Sequence, residues 1–169
     1  MAPVDAPVTS GGTNLIVDGD FSNGGYAWHS DDGVATYTPS GNEGCITIEP
    51  GEGFGGLGWP VGTAPANLVF GKSYTLAYTV VAATVLSPSV AIEAIVGPSA
   101  PPYSPTDYDH GPNGSPAVAG DPVTTTPTTY THTFTVTNTA GDPAAGISLQ
   151  FTGTTGEEVC FSNVSLVQN

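Results

Sequence analysis

The stretch "GEGFGG", from Gly51 to Gly56, has the G-x-G-x-x-G spacing of a phosphate cradle, and two acid pairs, Asp31–Asp32 and Glu157–Glu158, put carboxylates side by side. Such a cradle needs a strand before it and a helix after it, because the pyrophosphate rests on the helix N-terminus. "CITIEP" supplies a strand, but "LGWPVGTAP" cannot begin a helix, so the match is one of composition. Glycoside cleavage needs two carboxylates aimed at one bond from rigid elements. Neighbours on a strand point to opposite faces, neighbours on a turn are solvated, and no E-x-D-x-x-E spacing is present. With no G-x-S-x-G elbow, His29, His110 and His132 have no serine or cysteine motif to serve. His132, in a threonine-rich strand, reads as structural. The motifs give catalysis no support.

What remains is aromatic. Trp59, Phe54, Tyr103 and Tyr108 all fall in or beside loop-like sequence. Aromatic faces stack on the apolar C–H faces of sugar rings, while amides and carboxylates bond the hydroxyls. In "GEGFGGLGWPVG" the glycines around Trp59 clear ground on which a polymer chain can lie, with Trp59 as the stacking platform. The other reading is a glycine-rich edge strand with a tucked-in tryptophan. Trp28 closely follows the opening strand and reads as core.

The elements that must position these residues are strands. No long stretch keeps apolar residues at a 3.6 period, whereas period-2 runs recur. "TNLIVD" opens the domain and "VATYT" follows. "SYTLAYTVVAA" sets Tyr74, Leu76, Tyr78 and Val80 against Thr75, Ala77 and Thr79. "SVAIEAIVG" is more buried. "TYTHTFTVT" puts His132, Phe134 and Val136 on one side and threonines on the other. "GISLQFT" turns Ile147, Leu149 and Phe151 inward and Ser148, Gln150 and Thr152 outward, and in "EVCFSNVSLV" the parity slips near Ser162–Asn163, which predicts a bulge. Eight or more strands without helices make an all-β sandwich of two antiparallel sheets. A proline-rich stretch running from Gly97 to Thr128 reads as one long loop, of the kind that is usually functional or disordered.

At 169 residues the chain makes one domain, with residues 1–12 as a linker left by processing or cloning and 13–169 as the module. The opening "MAPVDAPVTSGG" lacks the apolar region of a signal peptide. Fifteen acids face one cation, Lys72, for a net charge of -14. Such a surface repels phosphate and anionic lipid, which disfavours nucleic acid and membrane partners and leaves neutral ligands and divalent cations. Cys45 and Cys160 each lie in a strand-like run, without a second Cys or His at metal-finger spacing. They are either a disulfide joining an early strand to the last one or two buried thiols. The oxidised reading implies an exported protein.

Read together, "NLIVDGDFSNG…W", "GKSYTLAYTVVA", "AIVGPSAPPY", "ISLQF" and "VCFSNVSL" occur in the order found in family 4 carbohydrate-binding modules. The chain after residue 12 resembles most the N-terminal cellulose-binding modules of secreted actinobacterial family 9 endoglucanases. Family 22 xylan-binding modules share the fold and some of the motifs. The resemblance implies a jelly roll with an open cleft across one sheet, a Cys45–Cys160 disulfide and a structural calcium away from the cleft. It implies a monomeric, non-catalytic, extracellular module that binds single chains of β-1,4-glucan, joined in its parent protein to an endo-β-1,4-glucanase. A xylan- or β-1,3-glucan-binding module and a small β-sandwich hydrolase are the alternatives. By position, Tyr103 matches a cleft tyrosine and Gln150 a cleft amide, Trp59 and Phe54 fall beside one wall, Glu93 stands where relatives carry arginine, and Ser99 where they carry asparagine. The cleft tyrosine expected shortly after Trp28 is replaced by "HSDD". Asp20, Asn42 and Ser162 occupy the expected calcium-ligand positions, Ser162 in place of the usual acid.

Overall fold

A computed structural model describes residues 12–31, 33, 35–84, 86–87, 90–98, 106–110 and 120–169. Among the described residues every regular element is a strand. In chain order these are β1 (His29–Ser30), β2 (Thr36–Ser40), β3 (Glu43–Thr47), β4 (Phe54–Trp59), β5 (Ala66–Leu68), β6 (Ser73–Ala82), β7 (Ala91–Pro98), β8 (Tyr108–His110), β9 (Asp121–Pro122), β10 (Thr128–Thr135), β11 (Asp142–Thr152) and β12 (Glu158–Gln168). One sheet runs β1-β4-β11-β7-β8, with β5 also paired to β11 and β9 to β7; the other runs β10-β6-β12-β3-β2. All pairings are antiparallel. The result is a β-sandwich of jelly-roll type, as the alternating sequence predicts.

The core is the set of residues that alternation turns inward. Tyr74, Leu76, Tyr78 and Val80 from β6 meet Ile147, Leu149 and Phe151 from β11, with Ile92, Ala94 and Val96 from β7. Threonine covers the outer face of the five-stranded sheet, where Thr75 bonds Thr133 at 3.0 Å and Thr79 bonds Thr129 at 2.8 Å across β6 and β10. Cys45 and Cys160 are opposite each other in the β3–β12 register and form a disulfide. The bond closes a separation of 115 residues, which in the chain-entropy account stabilises by about 4–5 kcal/mol.

Two local expectations change and a third holds. "TNLIVD" gives only a bridge from Asn14 to Val167, because the Asn14 side chain takes over the ladder's role: its Oδ1 accepts from the backbone N–H groups of Ile16 and Leu166, both at 3.0 Å. The bulge falls where parity slipped, between Ser162 and Ser165, with Asn163 at φ 52°. The stretch read as one long loop contains β8 and β9. Proline and glycine density masked a three-residue strand, "YDH", whose Tyr108 pairs with Val96 and His110 with Ala94.

Candidate functional site

On the outer face of the seven-stranded sheet, register aligns Gly56 with Gln150 and Glu93, and Gly58 with Ser148 and Ile95. Strand β4, between β1 and β11, thus contributes backbone without side chains to this face. Neither glycine has a positive φ; the space a side chain would take is filled by neighbouring side chains. A Cβ on Gly58 would lie 2.8 Å from His29 Nε2 and 2.9 Å from Asp31 Oδ1, and one on Gly56 would lie 3.2 Å from Gln150 Cγ and 3.3 Å from Asp31 Cβ. His29 and Asp31 therefore lean across the stripped strand from its β1 side. They wall a groove of about 500 Å³ that also takes in Pro60, Ile95, Thr106, Ser148 and Gln150.

The polar groups converge. Asp31 Oδ2 accepts hydrogen bonds from Gln150 Nε2 at 2.8 Å and from Ser148 Oγ at 2.5 Å. On β7, Glu93 shares the face with Asp109 of β8, which lies opposite Ile95. Burial, then the charge of Asp109 and a hydrogen bond to it, raise the Glu93 carboxyl above its ordinary pKa. Amide, hydroxyl and carboxylate groups thus line the groove above the two buried glycines, an arrangement suited to a polyhydroxylated neutral ligand.

Of the residues singled out in the sequence, Gln150, Glu93 and Phe54 share this face, Phe54 half-buried at the end of β4 opposite Thr152. Tyr103 and Ser99 lie outside the described residues. Trp59 is corrected. It is 2% exposed and belongs to the core, its ring 6.5 Å from that of Trp28, while still lining the groove. Alternation explains this: with Gly56 and Gly58 outward, Leu57 and Trp59 must point inward. Nor is β4 an edge strand, since it runs between β1 and β11. Tyr108 also belongs inside, stacked on Phe134 at 5.1 Å. Trp28 is core, donating from Nε1 to the Asp18 carbonyl at 2.8 Å. His29, Asp31 and Thr106 were missed as groove residues. Each comes from a segment too short or irregular to show alternation, and Asp31 reads in sequence as half of a solvated acid pair.

The positions expected to hold calcium lie away from the groove, near the β12 bulge. Continuing the β3–β12 register past Gly44 and Phe161 sets Asn42 and Ser162 at the same end of that strand pair. Val164 N–H donates to the Gly19 carbonyl at 2.7 Å, bringing the backbone next to Asp20 to the β12 bulge. Asp20 Oδ1 accepts from the Ser22 backbone at 3.1 Å and from its hydroxyl at 2.9 Å. An oxygen-only set of this kind fits a hard cation.

No protein-family model and no curated protein sequence matches the chain, so likeness is carried by solved structures. The N-terminal cellulose-binding domain from Cellulomonas fimi beta-1,4-glucanase C aligns with a TM-score of 0.61 and 26% identity, over 93% of this chain and 98% of that one. The second N-terminal cellulose-binding domain of the same glucanase aligns with a TM-score of 0.64 and 22% identity, over 97% and 99%. A CBM22 xylan-binding domain from Paenibacillus barcinonensis shares the fold, with a TM-score of 0.61, 11% identity, and 95% and 97% covered. In fold and over nearly its whole length, the chain is similar to CBM4 cellulose-binding domains.

Proposed function

We propose that this protein is a non-catalytic carbohydrate-binding module whose groove holds a single β-1,4-glucan chain, and that it serves a secreted endo-β-1,4-glucanase to which it is joined. The observation that carries the reading is the polar groove over the stripped strand: with no side chain at Gly56 and Gly58, His29 and Asp31 lie across β4, and Asp31 meets Gln150 and Ser148. A groove lined with hydrogen-bonding groups in this way accepts a polymer lying along the sheet. The cellulose-binding domains that the chain is similar to favour β-1,4-glucan. The disulfide supports an extracellular setting.

Binding exchanges sugar–water hydrogen bonds for sugar–protein ones, so affinity per site is modest. The benefit to a linked enzyme is effective concentration, because each new encounter with the polymer becomes a local event. Calcium, held by Asp20, Ser162 and the backbone near Asn42, would tie the β12 bulge to the β2–β3 turn without touching the groove. A rise in melting temperature with calcium, reversed by chelation, tests that assignment.

A xylan-binding module is the second reading, favoured by the CBM22 likeness. Native affinity electrophoresis in gels containing hydroxyethylcellulose, barley β-glucan, laminarin or xylan separates the two. Retardation in the first two gels supports the β-1,4-glucan reading, and retardation in xylan alone replaces it. No retardation anywhere removes the binding-module reading, while release of reducing ends from barley β-glucan would make the chain a hydrolase.

A further inference from the structure

Away from the groove, on the inner side of β8, three side chains from three strands meet around one carboxylate. His110 Nε2 lies 3.3 Å from Asp121 Oδ1, and His132 Nε2 lies 2.5 Å from Asp121 Oδ2. The two imidazole centroids are 4.3 Å apart, and the ligand atoms of all three residues fall within 4.8 Å of one another. The Tyr78 hydroxyl donates to Asp121 Oδ2 at 2.5 Å and closes the cluster from β6. We propose that His110, Asp121 and His132 form a binding site for a divalent transition metal, zinc first, which clips β8 and β9 to β10.

Three features carry this. The first is charge. Asp121 is 6% exposed, and a buried carboxylate requires a compensating positive group. The chain's one Lys or Arg side chain is Lys72, which lies in the turn before β6. Two imidazoles and a metal ion are the counter-charges the site can offer.

Geometry is the second feature. A tetrahedral ion about 2.0 Å from each donor separates its ligand atoms by about 3.3 Å. The His110 Nε2–Asp121 Oδ1 pair already has that spacing. His132 meets the other oxygen, Oδ2, at 2.5 Å, and because one ligand atom from each residue falls within 4.8 Å of the others, the three close on one ion by shifts of about 1.5 Å or less. On binding, each Nε2 turns a lone pair to the metal, its proton moving to Nδ1 or leaving to solvent. A water or the Tyr78 oxygen completes the shell.

The third feature is donor type. Two imidazole nitrogens and one carboxylate suit zinc, cobalt, nickel or copper, whereas calcium and magnesium favour all-oxygen cages. The site is therefore distinct in kind from the oxygen-rich corner near Asp20. It also bears on the groove without touching it, because the strand that contributes His110 turns Asp109 the other way, toward Glu93. This inference does not depend on the identity of the glycan.

The test is zinc titration by calorimetry on untagged protein in excess calcium, with histidine side-chain nitrogen NMR on the wild type as the second measurement. One equivalent of zinc is expected, shifting the ring signals of two of the three histidines. His132→Gln and His110→Gln should each weaken binding at least as much as the loss of a metal site's outer-shell partner, up to about 100-fold, and His29→Gln should leave it unchanged. No uptake by the wild type, shifts confined to His29, or unaltered affinity in folded His110→Gln and His132→Gln proteins would overturn the site. If those variants fail to fold, the wild-type ring shifts decide.

Discussion

Gln150 on β11 donates its side-chain amide to Asp31 across 2.8 Å, directly above Gly56, whose missing Cβ would crowd both residues. The bond fixes the amide's orientation, so that its carbonyl oxygen and the Asp31 carboxylate present acceptors along one line of the groove. Gln150→Ala and Asp31→Ala should each weaken β-glucan binding about tenfold, in keeping with hydrogen bonds to charged groups worth about 1.5–3 kcal/mol. Because the two residues act through one contact, the double variant should lose less than the sum, with a coupling of about 0.5–3 kcal/mol. Calorimetry on a soluble glucan measures the cycle. Strict additivity would mean that the two residues do not act together on the ligand.

The stripped strand makes a sharper test. Gly58→Val places a branched side chain where His29 and Asp31 now lean in, 2.8 and 2.9 Å from the new Cβ. These neighbours are side-chain tips at an open groove and can swing aside, and valine suits a strand. Stability should change by less than about 1 kcal/mol, while binding falls more than tenfold. Retained affinity in a folded variant would move the ligand off this face.

The sequence made the sandwich legible because its long strands alternate. Tyr74 to Val80, Ile147 to Phe151 and the β12 bulge all lie where parity places them. Gln150 was placed on the outer face by the same reasoning, and the structure puts it there. Trp59 was misread because a glycine-rich run looks like a loop, and a loop tryptophan looks like a surface platform. Applied to "FGGLGW", the same alternation turns Leu57 and Trp59 inward and leaves the glycines outside. His29 and Asp31 were beyond reach, since β1 is two residues long and their role depends on bare backbone in a distant strand. The His110–Asp121–His132 cluster was hidden for a similar reason, each member coming from a different strand of a proline-rich half.

Trp59 now carries a different prediction. With its ring in the core, Trp59→Ala should cost about 3–5 kcal/mol, the range for emptying a large buried aromatic site. Any loss of glucan binding should then follow unfolding. Trp59→Phe keeps most of the volume and should bind within a few-fold of wild type. Denaturant melts beside affinity electrophoresis separate the effects: a stable Trp59→Ala protein that no longer binds would restore the platform role.

Asp107 and Asp142 make the chain's pH response testable. Both are buried, at 8% and 4% exposed. Burial first, then the charge of Asp142 and a hydrogen bond to it, push the Asp107 carboxyl up from 3.8 to about 6. An unfolded aspartate titrates near about 3.9. Between these values the folded protein therefore holds a proton that the unfolded chain has released. By linkage, this group's contribution to stability falls as pH rises from about 4 to about 6 and stays low above that. Asp107→Asn replaces the proton with an amide that can donate to Asp142 at any pH. In metal-free buffer the variant should match wild type near pH 4 and exceed it at pH 7. Urea melts at the two pH values give the comparison. A variant less stable than wild type at pH 7 would mean that a charged Asp107 is stabilising, and that some positive group compensates the pair.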